Sequence, residues 1–135
     1  MTTVAGTDPE SDAFWADVKS GGLPLRRCTC CTRTFVLPLP SCPYCAAEHP
    51  EVIQARGTGR LYSWVVVHHA FDRAFAADVP YVVAAVELDE GARVYARLEG
   101  MELDTLVADL PVERVAHVRA DGPPLVFQPL RRIPT

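Results

Sequence analysis

Cys28-Thr29-Cys30-Cys31-Thr32-Arg33-Thr34-Phe35-Val36-Leu37-Pro38-Leu39-Pro40-Ser41-Cys42-Pro43-Tyr44-Cys45 contains every cysteine of a 135-residue chain. Its two Cys-x-x-Cys pairs, Cys28/Cys31 and Cys42/Cys45, stand ten residues apart. That is the spacing of two metal knuckles: each turn sets two sulfurs on one side, and the pairs together complete a tetrahedron. Four protein ligands leave no position open for water or substrate, so the ion is expected to be structural, with no Lewis-acid hydrolysis. Zinc is the expected metal, and iron in the same thiolate set is the chemical alternative. As disulfides these cysteines would close only small loops, so reduced thiols in a cytosolic chain fit better.

Cys30 offers a second sulfur beside Cys31, but only Cys31 keeps the two-residue spacing from Cys28. A nucleophilic Cys30, in the neighbourhood of Arg26, Arg27 and Arg33, is a competing use for which no fixed base is evident. Around the knuckles, residues 23–50 hold five of the twelve prolines, a density that forbids a long helix. The segment reads as two turns held together by something other than a hydrophobic core.

On the N-terminal side, residues 1–10 read as a flexible tail. Ser11 can cap a short helix with Phe14, Trp15 and Val18 on one face, ending at Ser20-Gly21-Gly22. On the C-terminal side the chain turns β-rich, with strands predicted at 52–56, 60–69, 81–88, 93–98, 112–119 and 125–128. Gly57-Thr58-Gly59 predicts a bulge or tight bend, and Asp89-Glu90-Gly91-Ala92 a hairpin turn. Residues 101–108 can supply one helical turn. Antiparallel strands of this number and spacing avoid open edges by closing into a small barrel. The expected fold class is therefore mostly β, divided as tail and helix (1–22), zinc ribbon (23–50) and barrel (51–135).

Charge is uneven: residues 1–20 carry net −3, 21–60 net +3 and 61–135 net −4. A zinc tetrathiolate adds two negative charges, which lowers the ribbon to about +1. That removes any strong pull on nucleic acid. A single-stranded nucleic-acid module stacking bases on Tyr62, Trp64 and Tyr95 is the alternative reading, opposed by the single lysine and the negative barrel. No apolar run approaches the ~20 residues of a membrane span, and no secretion signal opens the chain, so a cytoplasmic protein is expected.

His68 and His69, followed by Asp72, have the residue types of an acid–base pair, yet neighbours on a strand face opposite ways. Arg56 and Arg60 flank the 57–59 corner, where a guanidinium fork suits a ligand phosphate. Phe71, Arg73 and Phe75 lie in a long connection that reads as a docking loop. No nucleophile, base and orienter assemble from local spacing, so a free-standing enzyme is the weakest reading.

Taken together, Phe14-Trp15, Leu25-Arg26-Arg27-Cys28, Cys42-Pro43-Tyr44-Cys45, Gly57-Thr58-Gly59-Arg60-Leu61-Tyr62-Ser63-Trp64, Pro80-Tyr81-Val82-Val83-Ala84 and Val86-Glu87-Leu88-Asp89-Glu90-Gly91 make the chain resemble the DUF35 family. The resemblance implies an N-terminal helix, a rubredoxin-like zinc ribbon and a C-terminal OB-fold. It further implies a non-catalytic accessory subunit of a thiolase-fold enzyme, a thiolase or lipid-transfer-protein-like aldolase, that helps bind or channel acyl-CoA in lipid, steroid or polyketide metabolism. The partner would supply the reacting groups. Three positions depart from the family's pattern: Ala46 and Asp109 stand where glycine is common, and Arg97 where a small polar residue is usual.

Overall fold

A computed structural model describes residues 9–36, 39–69, 73–116, 118 and 122–130. Contacts divide the chain into two units: one runs to Arg56 and includes Glu90–Ala92, while the other holds Gly57–Asp89 and continues from Arg93.

The first unit begins with helix α1, Pro9–Lys19. It starts two residues before the predicted cap Ser11, with proline at its first position, where the missing N–H costs nothing. Its end is a glycine cap: Gly21 sits at φ 101°, the Gly21 N–H donates to the Val18 carbonyl (3.0 Å) and the Gly22 N–H to the Asp17 carbonyl (2.9 Å). This pattern satisfies the last orphan carbonyls of the helix. Val18 is buried, and the Phe14 and Trp15 rings meet edge to face with centroids 5.1 Å apart.

Strands β1 (Pro24–Arg27), β2 (Thr34–Phe35) and β3 (Glu51–Gln54) then form an antiparallel sheet in the order β2-β1-β3. Leu25, fully buried in the central strand, faces Ile53 across the ladder. The strand read at the start of the barrel is thus a ribbon strand, paired along its length with β1.

The second unit is a closed barrel of β4 (Thr58–Val67), β5 (Tyr81–Leu88), β6 (Arg93–Leu98), β7 (Pro111–Arg114) and β8 (Val126–Pro129), in the order β4-β5-β6-β8-β7. All ladders are antiparallel except β6 with β8. Strand order and pairing are those of an OB-fold, and closure leaves these five strands without a free edge. Leu61, Val86, Val112 and Phe127 are almost wholly buried at its centre. Short 3₁₀ turns stand at Arg73–Asp78 and Leu103–Thr105.

The bulge or tight bend predicted at Gly57-Thr58-Gly59 is a bend, and a separate bulge falls inside β4, where the register slips between Leu61 and Ser63. Gly57 makes the tight bend at φ 89°. Of the strand read over 112–119, the described residues form β7 only as far as Arg114. No helix among the described residues is long and apolar enough to cross a membrane.

Candidate functional site

The two cysteine pairs converge through two turns of one design. In the first, the Cys28 N–H donates to the Arg33 carbonyl (2.9 Å) and the Thr32 N–H to the Cys28 carbonyl (3.1 Å). In the second, the Cys42 N–H donates to the Ala47 carbonyl and the Ala46 N–H to the Cys42 carbonyl, both at 2.9 Å. Each turn places its fifth residue in the left-handed region: Thr32 at φ 64° and Ala46 at φ 66°. Backbone N–H groups of Cys30 and Cys31 point at the Cys28 sulfur (3.3 and 3.4 Å), and that of Tyr44 at the Cys42 sulfur (3.4 Å). Such donors stabilise thiolate charge.

The four sulfurs of Cys28, Cys31, Cys42 and Cys45 all lie within 4.8 Å of one another. Cys28 and Cys45 approach to 3.4 Å, Cys31 and Cys42 to 3.7 Å. A tetrahedron with metal–sulfur bonds of ~2.3 Å has edges of about 3.8 Å, so this donor set fits one tetrahedral ion. Cys31 joins the cluster and Cys30 is exposed outside it. The apolar support is small, with Cys28, Phe35 and Cys42 buried and Leu39 and Ala47 packed against them. The guanidinium of Arg33 lies 4.8 Å from the Tyr44 ring centroid, joining the two turns from outside.

Without a metal, Cys28, Cys31 and Cys45 do not share charge equally. The N–H of Cys31 lowers the Cys28 pKa to about 6; burial opposes this, and the Cys30 N–H and the neighbouring thiols of Cys45 and Cys31 assist. For Cys45 the Ala47 N–H pulls down, but the Cys28 thiol, burial and the remaining two thiols outweigh it, pushing the value up to about 12. Cys31 is also raised: the Arg33 N–H lowers it, and burial with the Cys28 and Cys42 thiols overcomes that effect.

The remaining residues singled out in the sequence do not gather. Arg56 is exposed, and its backbone N–H donates to Glu90 Oε2 at 3.0 Å. Arg60, on β4, reaches Glu87 at 3.4 Å. His68 and His69 are exposed just past the end of β4. Phe71 lies outside the described residues, as do the side chains of Arg73 and Phe75, whose backbone forms the first 3₁₀ turn.

A feature with little sequence signal is a cleft of about 460 Å³ in the barrel unit, between residues 78–82 and 97–106. Its wall contains Arg97, only 5% exposed, whose Nη1 lies 3.3 Å from Asp78 Oδ2 and 3.6 Å from Glu99 Oε2. The Arg97 guanidinium stacks 3.8 Å from the Tyr81 ring centroid. Arg97 was marked both as a single charge inside the apolar run Val94–Leu98 and as a departure from the pattern of the family the chain resembles, whereas nothing in the pattern of Asp78, Glu99 or Glu102 marks them.

Known proteins resemble both units. The family model for the "ChsH2, C-terminal OB-fold domain" matches residues 52–117. The chain is 39% identical over 102 residues to a "Probable enoyl-CoA hydratase alpha subunit" of Thermomonospora curvata, which covers 75% of this chain and 31% of that protein. This chain therefore spans less than a third of that relative's length. It is 32% identical over 112 residues to the "Benzoylsuccinyl-CoA thiolase subunit BbsA" of Geobacter metallireducens, covering 78% of this chain and 74% of that one. Among solved structures, a chain of the "Ltp2-ChsH2(DUF35) aldolase" superposes with a TM-score of 0.76 at 32% identity. That match covers 92% of this chain and 97% of the other.

Proposed function

The chain belongs to the DUF35 family, and on that premise we propose that it is a non-catalytic accessory subunit of a thiolase-fold enzyme, a thiolase or an aldolase, acting on acyl-CoA thioesters. The observation that carries this reading is the near end-to-end match to the DUF35 chain of a two-component aldolase. The thiolase-subunit name of the Geobacter relative supports it independently.

Within the proposal each unit has a task. Cys28, Cys31, Cys42 and Cys45 hold a structural zinc ion, because four thiolates at this spacing suit a closed tetrahedral site. The ion supplies cross-linking to a ribbon with a small apolar core. The barrel supplies surfaces to the partner, with Arg56, Arg60, His68, His69, Phe71, Arg73 and Phe75 as contact candidates toward partner or acyl-CoA, and the partner supplies the reacting groups.

The test is co-expression with a thiolase-fold enzyme from the same genome, followed by purification through a tag on one subunit only. A stable hetero-oligomer whose turnover of acyl-CoA needs both chains is the expected result. Absence of association, together with unchanged partner activity, overturns the proposal.

A further inference from the structure

We propose that the barrel cleft between residues 78–82 and 97–106 is a socket for a basic side chain, arginine or lysine, presented by the partner enzyme; this rests on the accessory-subunit reading.

Charge and shape together select the occupant. The cleft encloses about 460 Å³, roomy enough for an extended side chain and its flanking residues. Its lining combines apolar surface from Leu98 and Leu106 with one cation, Arg97, and three carboxylates, Asp78, Glu99 and Glu102. Arg97 is engaged within the wall: Asp78 and Glu99 lie 3.3 and 3.6 Å from its Nη1, and Tyr81 covers its face. Among the described residues, one cation against three carboxylates leaves the lining at a formal −2.

A phosphate or carboxylate entering the cleft would meet Glu99 and Glu102 at close range and would find the one guanidinium already neutralised. A wholly apolar group would strip water from those carboxylates without replacing it. A basic side chain meets both demands, because its aliphatic stem lies along leucine while its charged head takes the carboxylates. Glu99 is half exposed and Glu102 exposed, so both are open to an incoming cation. The chain's net charge of −4 has the same sign, which steers a basic surface toward it.

The experiment titrates the co-expressed partner enzyme with the full-length chain and reads the dissociation constant at low and moderate ionic strength. Wild type is expected to bind, more weakly as salt rises. The Glu99→Lys/Glu102→Lys variant is expected to bind at least tenfold more weakly and with a shallower salt dependence. Glu48→Lys, at a side chain 79% exposed on the other unit, is expected to bind as wild type.

Equal binding by wild type and the double variant overturns the socket while leaving the accessory reading intact. So does an equal loss in Glu48→Lys, which would make the effect one of overall charge. No binding by wild type overturns both. If the double variant melts early, Glu102→Lys alone takes its place: a loss of threefold or more is expected, and no loss overturns the socket.

Discussion

The backbone N–H of Ala46 donates to the Cys42 carbonyl at 2.9 Å, and the turn this closes holds Ala46 at φ 66°. A side chain in the left-handed region crowds the following carbonyl, at a cost of about 1–2 kcal/mol for an L-residue other than glycine. Here the second knuckle accepts that cost, and Thr32 repeats it in the first with a β-branched side chain.

Ala46→Gly should therefore tighten metal binding. Part of the relief is offset by the greater freedom of glycine in the unfolded chain, leaving a gain of roughly 0.5–1 kcal/mol. Because ribbon folding and metal binding are one equilibrium, the gain should appear as a roughly two- to fivefold higher zinc affinity in a competition titration with a chromophoric chelator. Unchanged or weaker affinity would show that the turn carries no strain.

Removing the metal should unmake the ribbon and spare the barrel. The ribbon's apolar support amounts to Cys28, Phe35 and Cys42 with a few partly buried neighbours, whereas the barrel buries Leu61, Val86, Val112 and Phe127. After chelation, amides of residues 28–47 should exchange with deuterium at once while those of β5 and β6 stay protected. Cys42→Ser should give the same pattern without a chelator.

Zinc uptake should release protons, and affinity should climb with pH. In the assembled site Cys28 titrates near pH 6, Cys31 above the ordinary 9.0 and Cys45 near 12, while a ribbon opened by loss of the metal returns its thiols to ordinary values of about 8.5–9, so in either state at least two of the four carry protons at neutral pH. A bound ion requires thiolates, so these protons leave on binding, and acid returns them and expels the metal. A zinc titration in weak buffer with a pH indicator should count at least two protons per ion at about pH 7.5. A count near zero would contradict this order of titration.

Gly59→Ala should destabilise the barrel. A Cβ at this position would stand 2.3 Å from the Glu87 carbonyl oxygen, a backbone atom of the paired strand β5 that cannot step aside. Overpacking of this kind costs about 1–3 kcal/mol. Urea unfolding followed by Trp64 fluorescence, in a Trp15→Phe background, isolates the barrel and should show a lower midpoint.

The cysteine spacing and the proline density made the ribbon legible, because metal geometry constrains local sequence directly. The glycine cap after Lys19 and the hairpin at residues 89–92 were legible for the same reason: each depends on a few neighbouring backbone groups. Pairing of 51–54 with β1 was not, since a four-residue strand carries no mark of which distant edge it will join. Arg97 was visible as a charge in an apolar strand, but its burial comes from Tyr81 and Asp78, which arrive from another segment.

Strand β4 draws the line most sharply. By alternation Leu61, Ser63, Val65 and Val67 share one face, and sequence alone determines that the segment is a strand with two unlike sides. The bulge then places one extra residue between Leu61 and Ser63, so Leu61 is fully buried while Val65 is 60% exposed. Period-two patterning is a property of the single strand, whereas its phase depends on closing a five-strand barrel whose ladders must all hydrogen-bond at once. The cysteine cluster and the element types were thus written in local sequence, and which side chains lie on the barrel's outer surface was decided only when the barrel closed.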